Sequence, residues 1–368
     1  MIEGLTRRRL RALALPALLV ASCITAGPAA RAETAEHYKQ TNLVSDVAGL
    51  ALIHDPDLTN AWGMAFSATS PFWISDNGTG KSTLYSVAYS ALGAATVAKI
   101  PLTVSIPGAG SITGQVFNGA PGFHGDRFIF AGEDGAITGW RPALGGTAET
   151  LVAPSDGSVY KGLALVSTSS GPVLLAANFR RGTIDAFDAA LTPLGSFADP
   201  MAPASFAPFN VQVLGGTIYV AYAMRDPEGH DDVPGPGHGL IDTFNPATGV
   251  FTRLITGMAA GGRVRQLDSP WGLALAPATF GRAAGKLLVG NFGSGTILAV
   301  DRFTGRSRGL LQDPRDRPIV IDGLWGLAFG NGGAAGRPGT LYFSAGPNGE
   351  SNGLFGSLDP VLEDHHRR

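Results

Sequence analysis

The chain contains a single cysteine, Cys23, in 368 residues. No disulfide can staple such a chain internally, so its stability must come from burial. Charged residues make up only 15% of it, and no basic patch follows the first dozen residues. That argues against nucleic acid as a partner. No uninterrupted apolar stretch is long enough for a stable membrane span, so none is expected in the mature chain. No segment has the period of a long amphipathic helix. Also missing are a Gly-x-Gly-x-x-Gly fingerprint between strand and helix, a phosphate-binding loop and a paired-cysteine motif, which removes the common nucleotide and zinc-ribbon chemistries.

Small turn-forming residues are abundant. Gly numbers 52 and Pro 25, while 44% of the chain is hydrophobic. This is the composition of many short strands joined by tight turns, not of disorder. One phrase recurs six times, beginning near Trp62-Gly63-Met64-Ala65, Gln115-Val116-Phe117-Asn118, Lys161-Gly162-Leu163-Ala164, Pro208-Phe209-Asn210-Val211, Trp271-Gly272-Leu273-Ala274 and Trp325-Gly326-Leu327-Ala328. Each copy continues with a second strand, a Gly/Asn/Asp turn and a third strand; Asn77-Gly78 and Asp134-Gly135 are strong hairpin signals. A period of roughly 46 to 63 residues suits one four-stranded blade of a β-propeller.

The expected fold is therefore all-β, a six-bladed β-propeller over residues 41–360. The last copy has no fourth strand of its own, and a spare strand lies near Asn42–Asp46. Ring closure by that N-terminal strand would remove the exposed edges. Residues 33–40 read as a linker and 361–368 as a disordered tail. Residues 1–32 read as a signal peptide: Arg7, Arg8, Arg9 and Arg11 precede an apolar core, and Ala30-Arg31-Ala32 offers a cleavage site. The chain is thus expected to be exported, to the periplasm or the exterior, as a monomer. Thr6-Arg7-Arg8-Arg9-Leu10-Arg11 also suits twin-arginine export, and Val20-Ala21-Ser22-Cys23 offers a competing lipoprotein anchor.

Further phrases carry a resemblance. Asn42-Leu43-Val44-Ser45-Asp46, Asn60-Ala61-Trp62-Gly63, Ser75-Asp76-Asn77-Gly78-Thr79-Gly80, Tyr160-Lys161-Gly162-Leu163-Ala164, Asp322-Gly323-Leu324-Trp325-Gly326 and Ala345-Gly346-Pro347-Asn348 resemble an uncharacterised exported bacterial family. Some members of that family bear a C-terminal Pro-Glu-Pro sorting signal, which the short tail here lacks. The resemblance implies a propeller and no particular activity. More distantly, the Trp-Gly-Leu-Ala copies resemble NHL repeats and the gluconolactonase and paraoxonase type of six-bladed hydrolase.

In a propeller, the loops entering first strands and those joining second to third strands emerge on one face, the upper face. Turn residues at equivalent repeat positions make Asp76, Asn77, Glu133, Asp134, Asn178, Asn291 and Asn348 the candidate ligand-binding set. Asn and Asp are also ordinary turn formers. The fourth copy carries an insertion, Ala223–Gly239, in which Asp226, Glu228, His230, Asp231 and Asp232 are candidate metal ligands. Carboxylates spaced around Gly can wrap Ca2+, although the spacing matches no twelve-residue calcium loop, and the His pair would suit a transition metal instead. His124-Gly125-Asp126 is read as a turn, not a dyad. Gly349-Glu350-Ser351-Asn352-Gly353 matches a nucleophile elbow in letters but lacks the following helix. The expected function is binding of a small molecule or protein partner on the upper face. The alternatives are a Ca2+-dependent lactonase or esterase, tested by Asp231→Ala or Asn178→Ala, and a structural envelope component.

Overall fold

A computed structural model describes residues 36–257 and 266–361. The leader expected over 1–32, with Cys23 and its cleavage site, lies outside the described residues, as does the tail beyond Val361. The strands fall into six sheets, five of them antiparallel and in chain order. Blade one is built from Ala61–Ala65, Phe72–Asp76, Lys81–Tyr89 and Ala95–Ser105. Blade two follows with Ile112–Phe117, Phe128–Gly132, Ile137–Trp140 and Glu149–Val152, and blade three with Tyr160–Thr168, Gly171–Asn178, Thr183–Phe187 and Pro193–Phe197. Blade four comprises Phe206–Leu214, Thr217–Met224, Gly239–Asn245 and Val250–Thr256; blade five comprises Pro270–Leu275, Leu287–Asn291, Ile297–Val300 and Ser307–Leu310.

Blade six closes the ring. Leu324–Phe329, Leu341–Ala345 and Leu354–Val361 take His37–Ser45 as their fourth, antiparallel strand, and the short Ile53–His54 adds a parallel fifth. The closing strand begins at His37, inside the segment read as a linker, because Tyr38 has a buried seat. Its ring stacks on Phe280 at 4.6 Å and its hydroxyl donates to the Phe280 carbonyl at 3.3 Å. Leu43 and Val44 on the same strand are fully buried. No helix among the described residues is long and apolar enough to cross a membrane.

Glycine sets how closely the six innermost strands approach. A Cβ on Gly63 would lie 2.5 Å from the Thr113 carbonyl of the next blade, and one on Gly114 would lie 2.6 Å from Gly162. Gly162 in turn faces Asn210, Gly272 faces Trp325, and Gly326 faces Trp62. This chain of contacts corrects the register of two repeats. The second copy aligns at Thr113-Gly114, two residues before Gln115, and the fourth at Phe209-Asn210, one residue after Pro208. Both lack the Trp-Gly pair, and Asn210 stands where the others have Gly. Its side chain spans the gap instead, donating to the Trp271 carbonyl at 2.9 Å.

Candidate functional site

The residue just before that ring of close contacts is Trp62, Thr113, Lys161, Phe209, Trp271 and Trp325 in successive blades. Several of these side chains touch across non-neighbouring blades, which is possible only over the axis. Trp62 of blade one meets Trp271 of blade five edge-on at 6.1 Å, and Phe209 of blade four meets Trp325 of blade six at 5.7 Å. Trp62 and Trp325 stack at 3.6 Å, and Phe292 covers the other face of this group. The repeated Trp residues thus form an aromatic plug on the axis, rather than only packing blade to neighbouring blade.

Lys161 enters this plug as its one cation, only 2% exposed. Its ammonium lies 5.2 Å from the Trp62 ring centre and 5.9 Å from that of Phe179. It pairs with Glu133, from the second-to-third-strand loop of blade two, and lies 3.5 Å from Asp231 of the blade-four insertion. Around this pair the upper loops form one hydrogen-bonded patch. Asn77 donates to Glu133 at 3.1 Å, and Asn60 donates to Asn77 at 3.2 Å and to Glu350 of blade six at 2.8 Å.

The insertion is a short hairpin with a fixed course. Arg225 and Asp232 form a bridge, the Asp226 amide donates to the Asp231 carbonyl, and the Val233 amide donates to the Met224 carbonyl. Arg225 donates to the Arg180 carbonyl of blade three at 2.6 Å, while the Gly235 amide donates to Asp268 of blade five at 2.7 Å. Gripped on both sides, the hairpin holds His230 and Asp231 over the axis, with His230 Nδ1 2.9 Å from Asp231 Oδ1. Ligand atoms of Glu133, His230 and Asp231 all lie within 4.8 Å of one another.

Carboxylates outnumber cations here. Burial pushes Asp232 up to about 6, opposed by the nearby Ser269 hydroxyl and by the Lys161 charge. Burial also raises Glu350, with Asn60 opposing it. For Asp231 burial acts upward, but His230 and Lys161 outweigh it and hold the carboxyl below its ordinary value. Such a patch is suited to a cation. One imidazole nitrogen with two carboxylates is the donor chemistry of Zn2+ or Mn2+ more than of Ca2+, which takes six to eight oxygens. An incoming ion would have to displace the Lys161 ammonium from Glu133.

The other sequence candidates divide. Asn77 and Glu133 belong to the patch. Asp134 accepts from the Ala136 amide of its own loop and from the Ala109 amide of the connection entering blade two. Asn178 is buried, bonded to Ser158 and Asp185, and Asn291 is buried, bonded to Thr296 and the Gln266 carbonyl. Asn348 is exposed and bonds Asn352. Within the insertion, Asp226 accepts the His230 amide as a turn cap, and Glu228 is exposed at the tip. Asp76 is fully buried, and neither of its carboxylate oxygens has a hydrogen-bond partner. His124 faces Glu149 at 3.2 Å, while Asp126 pairs with Arg141 at 2.8 Å, so no His124–Asp126 dyad forms. Glu350, within the elbow-like phrase, contributes a carboxylate to the patch, not a nucleophile. Lys161 escaped the candidate set. Its signal was present as the one lysine at a position where three blades have Trp.

The two ends of the axis differ. At the lower end of the axis lies an opening of about 420 Å3, lined mostly by apolar side chains.

No family model matches the chain. Among solved structures, an auxiliary nutrient binding protein from Bacteroides ovatus superposes with TM-score 0.52 at 12% identity, covering 89% of this chain and 77% of that one. A catalytically inactive virginiamycin B lyase from Staphylococcus aureus with quinupristin superposes with TM-score 0.50 at 13% identity, covering 88% of this chain and all of that one. At such identities the likeness is one of fold alone. By sequence, "Uncharacterized protein L690" of Acanthamoeba polyphaga mimivirus is 30% identical over 87% of this chain and 85% of its own length. "Uncharacterized protein R648" of the same virus is 32% identical over 87% of this chain and 80% of its own length. These relatives are viral, so they lend no support to a bacterial family or a sorting signal. With that identity and coverage, the chain belongs to the family of these mimivirus proteins.

Proposed function

We propose that this chain is a binding protein whose upper mouth takes a cation, with a transition-metal ion as the simplest occupant. The observation that carries this reading is the convergence of Glu133, His230 and Asp231 from loops of non-adjacent blades. Thermal unfolding after EDTA treatment tests it. Zn2+ or Mn2+ at about 100 times its Kd is expected to raise Tm by roughly 5 °C. Ca2+ should do less, and Asp231→Asn should remove the shift. No shift with any of the three ions would end this reading.

A second reading is a hydrolase acting on esters or lactones. It is favoured by Asp232, a carboxyl raised to about 6 and within electrostatic reach of Lys161. A base near neutral pH beside a bound Lewis acid is suited to activating water. Turnover of chromogenic esters or lactones that is lost in Asp232→Asn, with ion binding kept, would support it. Absence of turnover across such a panel would leave binding alone. Loss in Asn178→Ala would report on the fold, because Asn178 props Asp185.

An exported location belongs to the same proposal. It rests on the leader-like composition of residues 7–32 and on the resemblance to exported propellers. Intact mass decides it: a chain beginning at Glu33 supports cleavage and soluble export, a lipidated start at Cys23 supports an anchor, and an uncleaved Met1 contradicts both.

A further inference from the structure

Below the aromatic plug the six innermost strands splay into a funnel of about 420 Å3, to which each contributes three consecutive residues. Met64, Phe66, Val116, Leu165, Leu275 and Phe329 are among its walls. The volume is within the usual range for small-molecule sites, about 300–1,000 Å3. The floor is polar. Gln115 Nε2 donates to two carbonyls, Gly63 O at 2.7 Å and Trp73 O at 2.8 Å. Two acceptors on one side fix which end of the amide is nitrogen. Gln115 Oε1 is then left as a buried acceptor with no partner, on a residue only 6% exposed. Buried polar atoms are seldom left unmatched without reason. A void of about 20 Å3 beside it, lined also by Asn210 and Gln212, opens the floor further.

We propose that this lower funnel is a second binding site, for an apolar molecule whose single hydroxyl or amine head donates a hydrogen bond to Gln115 Oε1. The apolar body fills the funnel, and the head is the one group that the walls cannot satisfy. The aromatic plug separates this site from the charged upper mouth, so the two stand or fall independently.

N-phenyl-1-naphthylamine, an apolar fluorophore with one N–H, is a direct probe. The full chain is expected to bind it with enhanced emission, and 1-decanol is expected to displace it. Decanol should compete about fivefold more tightly than 1-methoxydecane, which keeps the chain but has no donor; that ratio is the worth of one hydrogen bond. Val213→Trp, at the half-open rim of the funnel, should weaken the probe at least tenfold, whereas Leu92→Trp on a distant exposed loop should not. Both positions are exposed enough to accept the larger ring. Failure to bind the probe, or binding unaffected by Val213→Trp, would overturn the site. Equal competition by the alcohol and its ether would assign Oε1 to a trapped water and overturn the role given to the head group.

Discussion

Lys161 shows most directly what this chain invests in its upper mouth. A 2% exposed ammonium is costly unless paired, and removing one partner of a buried pair costs about 3–5 kcal/mol. Lys161→Met should therefore destabilise the protein by about 3 kcal/mol, because Glu133 would lose its counter-charge and keep only the bond from the Asn77 amide. The double variant Lys161→Met/Glu133→Gln should recover much of that loss, as read by urea unfolding in a double-mutant cycle. Additive losses would mean that the two groups do not act as a pair. Asp76 poses the opposite case. It is fully buried, neither oxygen has a hydrogen-bond partner, and the Thr83 hydroxyl beside it does not meet either in bonding geometry. Burial pushes its carboxyl well above the ordinary value, and Asp55 and Asp57 add to the rise. Lys81 and Lys99 already pair with those two neighbours. Because the folded state holds the Asp76 proton more tightly than the unfolded chain, its contribution is full below the unfolded carboxyl's range. It is lost as pH rises toward the folded value. Asp76→Asn should accordingly be more stable than the native chain at pH 8, with a flatter stability profile between pH 4 and 8. A destabilised variant at pH 8 would show that the carboxylate has a partner after all. Asp232, raised to about 6 by burial, titrates in a range that matters for binding. Ion affinity at the mouth should rise between pH 5 and 7 as it gains charge, and Asp232→Asn should flatten that rise.

Strands and turns carry the closure. Leu43 sits fully buried on the strand that latches blade six, so Leu43→Ala should cost about 2–5 kcal/mol in urea unfolding. Gly114→Ala should cost about 1–3 kcal/mol, since its methyl would meet Gly162 of the next blade. A neutral outcome in either would mean that the ring is looser than described. These elements were largely legible beforehand. Asn77-Gly78 and Asp134-Gly135 marked hairpins where hairpins occur, in the second-to-third-strand turns of blades one and two. The latch was legible because the sixth repeat was one strand short. Register failed where the repeat changed its side chains: Thr113 and Phe209 replace Trp, and Asn210 replaces Gly while reaching across by hydrogen bond. The site was legible only in part. Asn178 and Asn291 share the turn chemistry of Asn77, but their amides hold local backbone and strand partners instead of facing the axis. The anchors of the insertion, the Arg180 carbonyl and Asp268, are contributed by other blades, so its own residues do not show its course. The meeting of Glu133 with His230 follows from ring closure, which no local pattern encodes.

The described residues form a closed ring of blades with two unlike ends. Above the Trp62, Trp271 and Trp325 plug is a charged mouth with more carboxylates than cations; below it is an apolar funnel. Closed symmetry explains why both lie on the axis: six similar strands bring similar positions together, and departures from the repeat, such as Lys161 and the blade-four hairpin, accumulate there. The most direct test is anomalous diffraction at the zinc edge from crystals of the full chain grown with Zn2+. One strong peak is expected about 2.0–2.2 Å from ligand atoms of Glu133, His230 and Asp231, with the Lys161 ammonium turned away from Glu133. An undisturbed Lys161–Glu133 pair and no peak at that mouth, in crystals where zinc is bound elsewhere or not at all, would contradict the cation site.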